Sequence, residues 1–596
     1  MIIDFLKRHK DTIIRGLMIL IVLILSWFQF QISSVYRSYA ELSEIDINYI
    51  FFNVATYYVV LSMIYIIINY WWISCIVYSA LTFLISTANY FVIQLHDSPL
   101  TIAELGNLRT AMNVIGGYQI NLSKITALFV IFILQLVLIF FIKKEEKQKR
   151  GMKVIFIRDV CLAISSFLIF FFSYMTPNKF MSESLGWRWV ITYQKYGYMA
   201  CTIKAACLSN NYPIKPDSYD ENYISNIEIE KRSSFVERTP DIILVLNESF
   251  YDLSLITEIE VDVPYLENIM SMENAIKGYA VIPGGGTNPS EYELLTSNSM
   301  KLLKDITPFN VIDMEGENSI VSYLKKIGYN TTGAHCASPA NYNRGRAYRD
   351  MGFDKICFDT EFENKKYFEN RAYATDESLY ENVLSWLKES DEVPQFIYLL
   401  TIQNHGGWDS NEEEMNIVHA LNDYGEYDRQ VDEYLSCIRL SDQAFKDFTD
   451  SLQSFDRDII VCMVGDHGPD LAAKIMDDPN SDQGYILRTC VPFVIWANYD
   501  IQDSAKINGK AISLNYLMPT ILKIAKVRLS PYYEYMLNLM DQVPVTTTAA
   551  LYYDKEGNSY MYENKSKYTE MVNNYFNLEY NNLSDGRIQR LFDPYD

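Results

Sequence analysis

Apolar positions along this chain follow two regimes. Up to residue 175 they form long unbroken runs, at 12–31, 50–70, 72–93, 124–142 and 155–175, each of a length that suits a bilayer-crossing helix. Beyond Pro240 they shorten to runs rich in β-branched residues: "DIILVLNES", "YNTTGAHC", "QFIYLLTIQNH", "DIIVCMVGDHG" and "VPFVIWAN". Helical patterns separate these runs, at 376–389, 426–454 and 514–526. In the second of them Val431, Leu435, Ile438, Phe445, Phe448 and Leu452 fall on one face. Continuous apolar strands alternating with helices predict a mostly parallel sheet covered on both faces. The expected fold is a multi-pass α-helical membrane domain of about five spans followed by an α/β domain.

The flanking charges orient this arrangement. Lys7, Arg8, Lys10 and Arg15 precede the first run, and "KKEEKQKRGMK" at 143–153 joins the fourth to the fifth. With five spans both basic segments fall on one side of the membrane, and the positive-inside rule makes that side cytoplasmic. The loops at 32–49 and 94–123 are then outside, as is everything after residue 176. Expected divisions are a transmembrane domain at 1–178, a juxtamembrane linker at 179–235, an external α/β domain at 236–545 and a C-terminal appendage at 546–596. In the linker, "LGWRWVITYQKYGYMACTIKAACL" mixes tryptophan and tyrosine with basic residues. That mixture suits an amphipathic helix in the outer interface, or an ordinary surface helix packed on the domain. The polar, tyrosine-rich tail reads as peripheral.

Charge narrows the partners. The 596 residues carry a formal net charge of -23, so the broad basic surface that nucleic acid needs is missing. The same charge repels an anionic substrate at long range. Phosphate handling must then be local, through a metal, a helix start or an arginine. The nine cysteines include no CxxC pair, which leaves neither a zinc ribbon nor a disulfide framework.

Chemistry concentrates where strands end, as it does in parallel sheets generally. In "VIPGGGTNPSEYELLTSNS", residues 281–299, three glycines lead into Thr287 and Pro289 suits a first helical turn. Thr287 or Asn288 is expected to cap the helix, with Glu291 completing a capping box. Free N–H groups at a helix start also favour an anion. "VGDHGP" sets Asp466 and His467 side by side after a strand, a pair suited to a divalent metal, a helix cap or a salt bridge. Glu248 in "LVLNESF" supplies a second carboxylate and His405 in "TIQNHGG" an imidazole. Arg344 in "NYNRGRAYRD" offers a bidentate fork for phosphate. The region after the last run holds four histidines, at 335, 405, 419 and 467, and three of them follow predicted strands. Phosphoryl or sulfuryl transfer fits this set: a metal would lower the pKa of a coordinated hydroxyl and offset developing charge.

The five-span part, the external α/β domain and the ordered motifs "NES", "GGGTNPSEYE", "NYNR…YRDMGFD", "QNHGGW", "GDHGP" and "SLNYLMPTIL" together resemble the lipoteichoic acid synthases. These are polyglycerolphosphate transferases of the alkaline phosphatase and sulfatase superfamily. The resemblance runs over nearly the whole chain. It implies one divalent ion, usually manganese with magnesium or zinc as rivals, held by Glu248, Thr287, Asp466 and His467, with Thr287 as nucleophile. It implies that Arg344 and His405 hold the glycerol phosphate. Tyr342 stands where the family often has tryptophan, which bears on packing against the glycerol, and His335 falls on the substrate side. The implied donor is phosphatidylglycerol and the implied acceptor a glycolipid or growing polyglycerolphosphate chain. The implied setting is the outer face of the cell membrane of a Gram-positive bacterium.

Three rivals read differently. A sulfatase matures a Cys or Ser in C/S-x-P-S-R, whereas this chain has "TNPSE" there, with Glu291 in place of arginine. A two-zinc phosphatase or phosphoethanolamine transferase needs more histidine and aspartate ligands than four external histidines supply easily. A transporter or receptor would place ionisable residues inside its spans, and these carry few apart from Arg158. Transfer of phosphoglycerol or phosphoethanolamine to another envelope glycan, or a membrane sulfatase-fold hydrolase, stays open at this point.

Overall fold

The computed structural model describes residues 10–34, 47–96, 99–100, 122–142, 152–175 and 189–595, except 230, 232–235, 285, 305, 391, 411–412, 479–480, 549–550 and 585–587. Lys7, Arg8, most of the basic stretch at 143–153, most of both expected outer loops and Gly285 lie outside the described residues. Two compact units result. The first comprises Met1–Asn211 with Ala340–Asn343, the second Tyr212–Pro339 with Arg344–Asp596.

The first unit is helical. Its long helices are α1 (Lys10–Ser34), α2 (Ile47–Ile68), α3 (Trp71–His96), α4 (Leu122–Ile142) and α5 (Met152–Met175). Four stretches among the described residues are long and apolar enough to cross a membrane: Thr12–Ser34, Asn48–Ile68, Trp71–Ile93 and Lys124–Phe141. The fifth expected span is a helix of 24 residues whose described apolar stretch is the shorter Asp159–Ile169. Buried amides join the helices: Gln135 Nε2 donates to Ser26 Oγ at 2.9 Å, and Asn89 Nδ2 to Ser33 Oγ at 2.8 Å. Such bonds add to close packing in a setting where water offers no alternative partner. The first linker helices, Trp189–Tyr196 and Tyr198–Asn211, belong to this unit. Asn53 holds them, donating to the carbonyl of Tyr196 and accepting from the amide of Met199.

The second unit is built on an eight-stranded sheet in the order β4-β3-β5-β1-β6-β7-β2-β8. Its strands are β1 (Asp241–Asn247), β2 (Ala275–Val281), β3 (Asn330–His335), β4 (Lys355–Cys357), β5 (Gln395–Leu400), β6 (Ile459–Gly465), β7 (Cys490–Ala497) and β8 (Ala511–Ser513). Only β7 runs antiparallel to its neighbours. Every residue of β1, β5 and β6 is buried, as continuous apolar runs in a doubly covered sheet require. Three helices matter for the site: α6 (Thr287–Thr296), α7 (Asp376–Glu389) and α8 (Asp428–Leu452). All six apolar residues named for the 426–454 pattern are buried on α8.

The C-terminal tail is less peripheral than its polarity suggests. Its helix α9 (Thr569–Leu583) buries Tyr575, Leu578, Glu579 and Asn582. Tyr575 Oη donates to the carbonyl of Ser297 at 3.2 Å, as does Tyr532 Oη at 3.0 Å. Ser297 ends α6 in a left-handed conformation, so the tail closes the far end of the helix that Thr287 begins. Glu293 of α6 is buried nearby, and burial, partly offset by the Met300 amide, pushes its carboxyl up to about 8. A carboxyl raised in the folded state stabilises fully below its unfolded pKa and loses that contribution as pH rises through the folded one. Glu293→Gln is therefore expected to flatten the decline in melting temperature between pH 4.5 and about 8, read by thermal scans across that range.

Candidate metal and active site

Two strand ends converge. Glu248 follows β1 directly, Asp466 follows β6, and β1 and β6 are paired in register from Asp241 with Ile459 to Asn247 with Gly465. Parallel pairing in that register brings both carboxylates to the same sheet edge. Gly465 permits this: a Cβ there would stand 2.0 Å from the carbonyl oxygen of Phe250. Ser249 takes a left-handed conformation, with φ 49°, and its amide donates to Asp466 Oδ1 at 2.7 Å. The amide of His467 donates to the same oxygen at 2.7 Å. Asp466 Oδ2 is left buried with no hydrogen-bond donor.

His467 completes the set. Its Nδ1–H donates to the carbonyl of Gly468 at 2.9 Å, which turns Nε2 toward the carboxylates. Nε2 lies 3.4 Å from Glu248 Oε1 and 3.3 Å from Asp466 Oδ2. Ligand atoms of Glu248, Asp466 and His467 all fall within 4.8 Å of one another. The charges agree with this crowding. Burial, then the neighbouring Glu248, pushes the Asp466 carboxyl up to about 7. For His467 burial opposes the charged form, but Asp466 and Glu248 outweigh it and hold the imidazole up to about 9. Two carboxylates, one of them with an oxygen that no hydrogen bond satisfies, and one imidazole fit a single divalent cation.

Thr287 faces this set. It is the first residue of α6, and the capping position before it is taken by Gly286 at φ 96°, with no side-chain cap. The expected capping box therefore does not form. Glu291 instead accepts from Arg344 Nε at 2.8 Å and from Tyr348 Oη at 2.5 Å, and Asn288 Oδ1 accepts from the amide of Phe309. Freed from capping, Thr287 Oγ1 lies 3.4 Å from Glu248 Oε2 and 3.5 Å from His467 Nε2. Ser290, one turn on, donates to the Asp466 carbonyl at 2.6 Å and ties α6 to the β6 end.

A cleft of about 330 Å³ opens beside these groups, lined among others by Glu248, His467, His405, Trp408 and Lys474. His405 is exposed on it. Arg344 is almost fully buried, and its Nε pairs with Glu291 of α6. His335, at the end of β3, is buried too and donates from Nδ1 to the Leu400 carbonyl at 3.1 Å. Burial, then Arg344, holds its pKa well below the ordinary value, so this imidazole is neutral. Tyr342 belongs with the first unit and has a left-handed backbone at φ 58°. His419 pairs with Asp432. Several residues that support the site follow no pattern in the sequence. One is Asp376, which bonds Asn247 and Ser441, with Asn404 bridging both, and so joins the ends of β1 and β5 to α7 and α8.

Comparison with known proteins places the fold. Residues 240–527 match the Sulfatase family. A Rhizobium meliloti (strain 1021) protein named for cyclic beta-1,2-glucan modification is 28% identical over 316 residues, covering 49% of this chain and 47% of that one. The chain thus spans less than half the length of the curated relatives it matches. The Streptococcus pyogenes phosphoglycerol transferase GacH, solved with sn-glycerol-1-phosphate, has a TM-score of 0.51 at 20% identity, covering 64% of this chain and 99% of that one. The lipoteichoic acid synthase LtaP of Listeria monocytogenes gives 0.43 at 16% identity, over 60% and 95%. Behind helices of membrane-spanning length, residues 240–527 match the Sulfatase family and carry a sulfatase-like α/β fold with a mostly parallel sheet.

Proposed function

We propose that this protein is a cation-dependent phosphotransferase that moves glycerol phosphate from phosphatidylglycerol to a glycolipid or growing polyglycerolphosphate chain, with Thr287 as nucleophile. The observation that carries this reading is the uncapped, buried Thr287 hydroxyl set against Glu248 and His467 at 3.4 and 3.5 Å. A divalent ion held by Glu248, Asp466 and His467, manganese first, would acidify that hydroxyl and offset charge developing on the phosphate.

The chain's own part runs in two displacements. First, a bond forms between Thr287 Oγ1 and phosphorus while the bond from phosphorus to the diacylglycerol oxygen breaks. Diacylglycerol leaves with the proton that the threonine gives up, and a glycerophosphoryl-threonine remains. Then an acceptor hydroxyl bonds to phosphorus, the threonine ester breaks, and Thr287 recovers a proton. The N–H groups at the start of α6 and the exposed imidazole of His405 suit the phosphate oxygens. Motif order alone assigns Arg344, Tyr342 and His335 to the substrate side. With the shorter fifth helix as a span, the basic flanks favour a domain outside the cell, where the lipid donor of the outer leaflet is available.

A second reading differs in the acceptor. The relative named for cyclic beta-1,2-glucan modification favours a cyclic glucan over a lipid-linked polymer. One experiment addresses both. Detergent-solubilised protein with manganese and fluorescent phosphatidylglycerol is expected to release diacylglycerol and to gain the mass of one glycerophosphate. Adding a glycolipid or a cyclic glucan as acceptor separates the two readings by which becomes labelled. Turnover of phosphatidylethanolamine or a sulfate ester instead would overturn the substrate assignment.

A further inference from the structure

We propose that Arg371 is a positioning residue that sets His405 by clamping the loop at 403–407. The inference rests on the reading above, in which His405 meets the substrate phosphate. Arg371 lies between β4 and α7, and its side chain is 2% exposed. Nη2 donates to the carbonyls of Gln403 at 3.1 Å and His405 at 2.5 Å. Nη1 donates to the carbonyl of Gly407 at 3.2 Å and to Glu433 Oε1 at 3.2 Å. Alternate carbonyls of one short loop thus converge on a single guanidinium, where surface loops usually leave them to water.

Neutral carbonyls would not balance a cation buried this deeply, and Glu433 of α8 does so. The same carboxylate accepts from the amide of Ser410 at 2.9 Å and from its hydroxyl at 2.5 Å. The pair therefore pins the loop at both ends, 403–407 through the arginine and Ser410 through the glutamate. Tyr373 completes the mount: its ring centroid lies 5.0 Å from that of His405 and 5.3 Å from the guanidinium. His405 itself projects into the cleft beside Glu248 and His467. Its position there is fixed by its backbone, and its backbone is fixed by Arg371. Lysine cannot substitute, because one ammonium cannot span carbonyls on both sides of the fork.

The test uses full-length, detergent-solubilised protein and the variant Arg371→Lys. Hydrogen exchange of the amides at 403–410 is expected to quicken about tenfold or more, while those at 247–250 and 464–468 and the manganese-induced rise in melting temperature stay as in the parent. Diacylglycerol release should fall by about 10². On a His405→Ala background the same substitution should cost less than about twofold, because the arginine acts only through that imidazole. Unchanged exchange at 403–410 overturns the proposal, as does a loss that multiplies in full on the His405→Ala background. Should Arg371→Lys fail to fold, Glu433→Gln is read by the same two measurements. A parent protein that turns over no phosphatidylglycerol sinks the phosphoglycerol reading alone. The cycle is then run on a p-nitrophenyl phosphodiester, and the exchange measurement decides the clamp independently.

Discussion

Thr287→Ala is expected to abolish transfer while leaving the fold and the cation site in place. Turnover of phosphatidylglycerol should fall by about 10⁴ or more, as when the nucleophile is removed from other covalent catalysts. The glycerophosphate adduct should vanish from the intact mass. The structure makes this substitution a clean one. Gly286 occupies the cap position and the threonine side chain makes no capping bond, so alanine removes no helix-terminal interaction. Alanine is also the better helix former at the first position of α6. The two hydrogen-bond partners that lose the hydroxyl, Glu248 and His467, still have each other and Asp466. Melting temperature and the manganese-induced shift should therefore match the parent. Thr287→Ser keeps the hydroxyl and should retain activity within about 10² of the parent, the loss coming from a freer rotamer. A mere tenfold loss in Thr287→Ala would mean that water attacks directly, and the protein would be a hydrolase with a threonine beside its metal.

Much of this arrangement was legible in the sequence, and the reasons differ by element. β1, β5 and β6 read clearly because a strand buried on both faces needs an unbroken apolar run, and theirs are short, rich in β-branched residues and set between helical patterns, unlike the long runs before residue 175. Glu248 and Asp466 could be placed with them because each follows its strand without an intervening turn. α8 read from its periodicity. What failed to read was pairing. Glu291 was expected to cap its own helix, the local option that spacing suggests. Its actual partners, Arg344 and Tyr348, stand 53 and 57 positions away, and no spacing rule reaches that far. Arg344 illustrates the converse. An arginine in a polar motif suggests a phosphate fork, but no motif announces that its Nε pairs with a buried carboxylate, where breaking the pair would cost about 3–5 kcal/mol. Arg371, set in "NRAYATDE", carries no motif, because its targets are main-chain carbonyls that any sequence provides. The tail misled for a compositional reason: tyrosine is polar enough to suggest a surface, but Tyr575 and Tyr552 are buried and Tyr575 finds an acceptor inside.

Asp466→Asn should separate stability from function in opposite directions. In the cation-free protein this carboxylate is buried beside Glu248, with only part of its cost offset by His467 and two amides. Asparagine is nearly the same shape, and its Oδ1 can still accept from the amides of Ser249 and His467. Its neutral side chain removes the repulsion between the two acids, so the cation-free variant should melt a few degrees higher than the parent, about the effect of 1 kcal/mol. With manganese the order reverses. Binding to the native state alone stabilises by RT ln(1 + [L]/Kd), about 2.7 kcal/mol at one hundred times Kd. A site cut from two carboxylates to one should lose most of that increment, and transfer should fall by about 10³ or more as the hydroxyl of Thr287 loses its activating partner. Thermal scans with and without manganese, read beside diacylglycerol release, decide the matter. A variant that melts lower without the ion would show that Asp466 is primarily a structural acceptor for its neighbouring amides. One that keeps the full manganese shift would move the cation away from Glu248, Asp466 and His467 altogether, and with it the reason for Thr287 to be reactive.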